Sequence, residues 1–301
     1  MAEITAALVK DLRQKTGAGM MDCKKALTET SGDLEAAVDL LRKQGLAAAS
    51  KKAGRTAAEG LVAAVTKDTT GVLVEINSET DFVARNEDFQ GFVRTISELA
   101  LDAGGDLEKL KAMAYPNSAG TVGDMLTELV GRIGENLQLR RAQALSVSQG
   151  VVASYIHNAM APDLGKIAVI VGLESSKGGE ELVELAKQIA MHVAWANPQA
   201  VTIESLDKDL LERERKLLME QAQDSGKPDD IIAKMVEGRL RKFYQDIVLL
   251  EQAFVIDNEV KVSEAIGRVA SDTGAEIKIV GYVRFELGEG VEREESDLAA
   301  E

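Results

Sequence analysis

The sequence contains few cysteine, histidine and aromatic residues. Cys23 is the one cysteine among 301 residues, so an internal disulfide is excluded and a reducing, cytoplasmic location is predicted. One cysteine and two histidines are too few to predict a metal site. Aromatic residues make up 4% of the chain, so its cores are expected to consist of Ala, Val, Leu and Ile.

Long apolar runs and positive charge are also scarce. The chain has neither a run long enough to cross a bilayer nor a basic-then-apolar signal peptide, so no membrane association is predicted. It has 35 Lys and Arg against 50 Asp and Glu, a net charge of −15 at pH 7. Recognition of nucleic acid requires a basic face, and the short basic run 51–55 does not outweigh the overall repulsion. We therefore expect a protein partner and no direct nucleic-acid partner.

The N-terminal region, residues 1–55, is predicted to be a three-helix module with a linker. Apolar residues recur at helical spacing in three segments separated by glycine turns. These residues are Ile4, Leu8 and Leu12, then Cys23, Ala26 and Leu27, then Leu34, Val38 and Leu41. Gly45 is predicted to end the third helix. Residues 47–55 are interpreted as a helical or flexible linker.

The remaining chain contains an internal repeat, residues 56–147 and 148–286. A helix, a glycine stop and an alternating strand occur twice, with Gly134 aligned to Gly274. Upstream, residues 60–63 match 150–153, and the strand 72–76 is matched to 167–171. The predicted fold class is therefore α+β, with two three-stranded antiparallel sheets and helices on one face of each. Residues 287–301 are predicted to form a short C-terminal module.

The second copy carries an insertion at about 199–247. Two amphipathic segments flank a break at Ser225–Pro228, which predicts an antiparallel helical hairpin. The second segment places apolar residues at helical spacing: Ile232, Val236, Leu240, Phe243 and Ile247. A projecting hairpin would leave this stripe to be covered, which favours self-association or partner docking. The alternative is a hairpin that packs flat on its own domain.

A strand and a helix flank a short polar turn at residues 77–81. The strand pattern ends at Ile76, and the helix pattern begins near Phe89. Asp81 and Phe82 between them are candidates for contact with another molecule, because a turn held on both sides is rigidly aimed. Alternatively, Thr80 or Asp81 caps the helix and the Phe82 ring folds back onto the sheet.

Two long motifs indicate a family. Leu12–Leu27 reads LRQKTGAGMMDCKKAL, and Glu75–Arg85 reads EINSETDFVAR. Together and in this order they resemble the bacterial translation elongation factor Ts family. The resemblance implies a guanine-nucleotide exchange factor that binds elongation factor Tu, perturbs its Mg²⁺ and phosphate site and promotes GDP release. It implies no enzyme activity and no cofactor, and the chain contains no phosphate-binding Gly-x-x-x-x-Gly-Lys-Ser/Thr loop.

The resemblance also implies which residues contact the partner. The turn residues that would dislodge the partner's Mg²⁺ are Thr80, Asp81, Phe82 and Val83. Those of the N-terminal module are Leu12, Arg13, Met20 and Met21, and His157 is the residue of the core. From the sequence alone, the methionines could instead fill the core, Arg13 could be a solvated charge and His157 could be structural.

Two other functions stay open at this point. The first is a binding module that uses the same surfaces without accelerating exchange. The second is an enzyme, although no paired-carboxylate motif, Cys–His pair or nucleophile elbow supports it. The second histidine, His192, lies within an apolar helical segment and is interpreted as structural.

Overall fold

The computed structural model describes residues 4–224 and 227–292. It contains helices and two antiparallel sheets, which confirms the α+β prediction. The helices are α1 Ala6–Thr16, α2 Met20–Glu29, α3 Leu34–Lys52, α4 Glu87–Ala103, α5 Leu107–Ala112, α6 Val122–Ile133, α7 Glu180–Ala196, α8 Lys208–Gln223, α9 Asp229–Ile247 and α10 Val262–Thr273. The strands are β1 Glu59–Lys67, β2 Thr70–Ser78, β3 Gln138–Ser146, β4 Gly150–His157, β5 Leu164–Gly165, β6 Ile167–Ser175 and β7 Ile277–Glu286.

Within the described residues, no helix combines the length with the hydropathy that crossing a bilayer requires. Two predicted segments lie partly outside those residues. They are the hairpin break, of which Ser225 and Gly226 are not described, and the C-terminal module beyond Glu292.

The N-terminal module consists of α1, α2 and α3 around Leu12, Cys23 and Leu27. The prediction that Gly45 ends the third helix is wrong, because α3 continues through it to Lys52. A glycine inside a helix costs only about 1 kcal/mol, and the alanines that follow it favour helix. Packing adds a reason: a Cβ on Gly131 of α6 would lie 3.2 Å from the Gly45 Cα, so α3 and α6 approach closely there.

The two sheets have the strand orders β3-β2-β1-β5 and β4-β6-β7. Each contains the three predicted strands, but the first sheet also gains β5, which comes from the second repeat. In β5, Gly165 pairs with Val62 and Leu164 pairs with Ala63. A two-residue strand produces no alternating pattern, so the sequence could not indicate it.

The repeat is visible in the strand registers. Gly60 of β1 faces Asn77, and Gly150 of β4 faces Glu174. Both glycines have positive φ angles, 122° and 135°, where side chains are strained. Because these positions are equivalent, the strand 72–76 corresponds to 169–173. The match to 167–171 in the sequence alignment is therefore wrong by two residues.

The core has four layers, because the two sheets also pack on each other. Their facing sides share a cluster with Val62, Leu73, Val152, Ile170 and Phe285 at its centre. On the outer sides, α4 covers the first sheet and α7 covers the second. This arrangement buries β2 on both faces and explains its nearly continuous apolar sequence.

The insertion forms a hairpin of α8 and α9. Its apolar cluster contains hairpin residues alone: Leu218, Ala222, Ile232, Val236 and Leu240, with Leu211 and Tyr244 against them. A second cluster around Leu206 and Val248 joins its base to the core. Ile232, Val236 and Leu240 of the predicted stripe are therefore covered within the hairpin, and the alternative of a hairpin that packs flat on its own domain is wrong.

Candidate functional site

The connection between β2 and α4 forms a short 3₁₀ turn over Val83–Arg85. Helix α4 is capped by Asn86, whose Oδ1 accepts a hydrogen bond of 3.0 Å from the Phe89 backbone N–H. The alternative in which Thr80 or Asp81 caps this helix is therefore wrong. The cap leaves the preceding residues free for another role.

Phe82 points away from the protein, with 74% of its surface exposed. The ring does not fold back onto the sheet, so that alternative is wrong as well. Asp81 beside it is also exposed. Val83, in contrast, is 5% exposed and belongs to the first sheet's core. It anchors the turn from below, while Asp81 and Phe82 form its tip.

Hydrogen bonds fix the base of this turn. The Thr80 backbone N–H donates to Glu135 Oε2 at 2.9 Å, and its hydroxyl donates to Oε1 at 2.6 Å. The Ser78 hydroxyl donates to the Thr80 carbonyl at 2.9 Å. The residue immediately before the tip is thus held at its amide, its side chain and its carbonyl.

A second set of bonds ties the turn to the end of the linker. The Glu79 carboxylate accepts from the Asn136 backbone N–H at 2.6 Å and from Arg55 Nη1 at 3.4 Å. Asn136 Nδ2 donates to the Arg55 carbonyl at 2.7 Å. Three distant segments therefore meet here. The sequence singles out neither Glu135 nor Asn136, because their partners lie more than fifty positions away.

The N-terminal module exposes both predicted methionines. Met20 is 60% exposed and Met21 is 74% exposed, at the first turn of α2. The alternative in which they fill the core is wrong. Arg13 is exposed on α1, whereas Leu12 is fully buried and supports the module from inside. Flexible thioether side chains beside a cation suit an adaptable binding surface.

Arg132 of α6 connects the two exposed sets. Its Nη2 lies 2.7 Å from Asp88 Oδ2 in the first turn of α4, just after the Phe82 turn. Its guanidinium also lies against Gly17, where it leaves no room for a Cβ. Gly17 ends α1 and precedes Met20 and Met21. The loop that begins at Gly17 and the turn that carries Phe82 therefore both adjoin Arg132 of α6.

His157 lies apart from these groups, at the end of β4 in the second sheet. It is exposed, and its Nδ1 lies 3.3 Å from the Tyr155 hydroxyl. Trp195, in the last turn of α7, is 74% exposed and is not distinguished by any sequence pattern. The second repeat thus exposes His157 at the end of β4 and Trp195 on α7.

His192 is fully buried in α7. The Val255 backbone N–H donates to its Nδ1 at 3.2 Å, so Nε2 carries the proton and donates to Gln252 Oε1 at 2.9 Å. Burial lowers the pKa of His192, and the hydrogen bond to Gln252 opposes this effect. The neutral ring therefore ties α7 to the loop before α10, a structural role.

Across residues 4–224 and 227–292, no three His, Cys, Asp or Glu side chains are placed to hold a metal ion. The fold and the exposed groups define a class of protein. It is an α+β protein with a helical module, a double-sheet core, a projecting hairpin and an exposed aromatic turn fixed by hydrogen bonds.

Comparison with known proteins gives the family. Residues 79–289 match the family model described as Elongation factor TS. Elongation factor Ts of Rhodospirillum rubrum is 62% identical over 302 positions, covering 100% of this chain and 98% of that protein. Those of Rhodospirillum centenum and Parvibaculum lavamentivorans are each 58% identical over 301 positions, with the same coverage. The chain belongs to the elongation factor Ts family, which confirms the resemblance and assigns it to translation elongation.

Proposed function

We propose that this protein is a guanine-nucleotide exchange factor that binds elongation factor Tu and promotes GDP release. The exposed Phe82 ring on a hydrogen-bonded turn is the observation that carries the proposal. Large aromatic side chains dominate the energetics of protein interfaces. Apart from binding, little accounts for an exposed side chain of this kind on a polar turn.

Exchange requires no covalent chemistry. A GTPase holds GDP through backbone amides around the phosphates and through Mg²⁺. A factor accelerates release when it binds the nucleotide-free form more tightly than the loaded form. The coupling is reciprocal: if the factor weakens GDP binding, GDP weakens binding of the factor by the same ratio.

In our proposal, the Phe82 ring enters between partner helices that pack beneath the Mg²⁺ site. Val83 and the bonds to Thr80 hold the turn in place before binding, so little conformational entropy is lost when the ring is inserted. Phe82 is the larger contributor, at about 2 kcal/mol for a buried aromatic anchor. Asp81 contributes less, because a carboxylate at an interface rim is often worth under about 1 kcal/mol.

The N-terminal module supplies a second contact. Met20, Met21 and Arg13 bind the GTPase domain of the partner, with Leu12 as internal support. His157 belongs to a third contact on the second sheet. The net charge of −15 supports a protein partner and no direct nucleic-acid partner, and a cytoplasmic location fits the single, buried cysteine.

A passive binding module is the second candidate, because exposed groups alone do not require faster exchange. The test is release of a fluorescent GDP analogue from elongation factor Tu at substoichiometric amounts of this protein. Accelerated release with turnover supports the proposal. A measurable complex without acceleration would favour the passive module, and the absence of both would reject the assignment of this partner.

A further inference from the structure

We infer that Glu135 is a positioning residue, whose carboxylate sets the orientation of the Phe82 turn for nucleotide exchange. The inference rests on the proposed function and adds a residue to it. Glu135 lies in the loop after α6, 55 positions from Thr80 in the sequence.

The contact is bidentate. Each carboxylate oxygen of Glu135 accepts one hydrogen bond from Thr80, one from the amide and one from the hydroxyl. Hydrogen bonds to an ionised carboxylate are shorter and roughly twice as strong as neutral ones. Among the described residues, no Lys, Arg or His lies within ion-pair distance of Glu135. Both of its carboxylate oxygens are therefore engaged by the turn.

The contact between Glu135 and Thr80 is not explained by a role of Glu135 as a cap at the end of α6. Helix α6 ends at Ile133 and is capped by Gly134, which has a φ of 88° and whose N–H donates to the Val130 carbonyl. At the opposite end, the helix starts with a capping box of Thr121 and Asp124. Both ends are satisfied without the Glu135 side chain, which is thus available for the turn.

Loss of the Glu135 carboxylate should make the tip of the turn more mobile and leave the fold unchanged. Val83 stays buried and the Ser78–Thr80 bond stays intact, so the turn keeps its place on the first sheet. The Thr80 amide and hydroxyl, however, lose their acceptor. Asp81 and Phe82, which follow directly, then occupy a wider range of orientations, and fewer of them match the partner.

The test is a double-mutant cycle with Glu135→Ala, Phe82→Ala and the combined variant, measured as the rate of GDP release from elongation factor Tu. We expect Glu135→Ala to slow release roughly 10-fold on its own, as for loss of charge-assisted hydrogen bonds. In the Phe82→Ala background it should cost under about 2-fold, because a positioning residue acts through the group it positions. Glu135→Gln, which retains one acceptor oxygen, should give an intermediate rate.

The matched control is Glu98→Ala, which removes an exposed carboxylate from α4 and should leave the rate unchanged. A second readout needs no partner: hydrogen exchange at the Thr80 amide should accelerate in Glu135→Ala, with the thermal midpoint nearly unchanged. Equal losses in both backgrounds, or an unchanged rate, would overturn the role of Glu135 alone. A wild-type protein that fails to accelerate GDP release would instead overturn the proposed function together with this role.

Discussion

The two repeats differ most where strand leads into helix. In the first repeat, residues 79–86 connect β2 to α4, and they include the 3₁₀ turn and the exposed Phe82. In the second, only residues 176–179 connect β6 to α7. Gly178 and Gly179 there have nothing within 4 Å of an added Cβ, and no side chain caps α7.

Both connections are nevertheless tied to the end of a helix from the same repeat. In the first, Glu135 after α6 accepts two hydrogen bonds from Thr80. In the second, Lys177 Nζ donates one bond of 2.8 Å to the Thr273 carbonyl at the end of α10. One scaffold therefore carries an aimed aromatic tip in one copy and an open glycine connection in the other. In the proposed function, this connection rather than the shared scaffold supplies the aromatic group that enters the partner.

The largest effect is expected at Glu75, which corresponds to Gly172 in the second repeat. Its fully buried carboxylate accepts bonds from Arg140, Arg141 and the Gly288 backbone N–H. Glu75→Ala should lower the free energy of unfolding by about 3 kcal/mol, because Arg140 loses its carboxylate partner and Arg141 keeps only Glu289. Urea denaturation measures this, with Glu98→Ala as the exposed control. A loss of unfolding free energy below about 1 kcal/mol would show that the charge at position 75 is not needed for stability, just as the equivalent position of the second repeat has the uncharged Gly172.

Phe82→Ala tests the connection itself. We expect GDP release to slow roughly 30-fold, which corresponds to about 2 kcal/mol, while stability stays within about 0.5 kcal/mol. Lys177→Ala in the equivalent connection is the matched control and should leave the rate within about 2-fold. A destabilised Phe82→Ala protein with a normal exchange rate would contradict the asymmetry between the repeats.

His192 gives the second repeat a pH dependence between pH 7.5 and 5.5. Its folded-state pKa is lowered by burial, so the unfolded chain binds more protons once the pH falls below its ordinary value of 6.5. Stability should therefore be full above that pH and decrease toward pH 5.5. His192→Leu, which copies Leu99 at the corresponding position of α4, should flatten the profile measured by denaturation between pH 7.5 and 5.5. An equally steep profile in that variant would assign the effect to other groups.

The smallest effect is expected in the hairpin, which the first repeat lacks. Leu217 and Ile231 are its most exposed large apolar side chains, at 48% and 41%. Most of the stripe that motivated self-association is covered, at Ile232, Val236 and Leu240, so the double variant Leu217→Ser, Ile231→Ser should keep the wild-type mass in light scattering. A fall in mass relative to wild type would instead support the predicted self-association through the hairpin.

The sequence predicted those parts of the structure that depend on local periodicity. Helix α4 and strand β2 carry apolar residues at clear spacings, and the glycine stops align the repeats. Three features depend on distant contacts and could not be predicted. They are the continuation of α3 through Gly45, the pairing of Gly165 with Val62 and the bonds from Thr80 to Glu135.

At the candidate site, the sequence indicated the segments that carry the contact residues, but not which residues of those segments are buried and hold the others in place. The motif around Phe82 indicated the tip, yet Val83 of the same motif is only 5% exposed and lies beneath it. Leu12 is likewise buried. Short motifs do not separate a contact residue from its support, because both contribute to the same pattern.

The close approach of Gly45 and Gly131 has a further consequence. It joins α3 to α6, and α6 leads directly to the loop that holds the Phe82 turn. In the proposed complex, Met20 and Met21 on one side and Phe82 on the other are the two arms of a bidentate ligand with a fixed span. Once one arm is bound, the other is present at an effective concentration on the order of mM. If a conformational change of the partner moves its two binding sites apart, both arms can no longer bind at once. The advantage in affinity is then lost, and the partner dissociates.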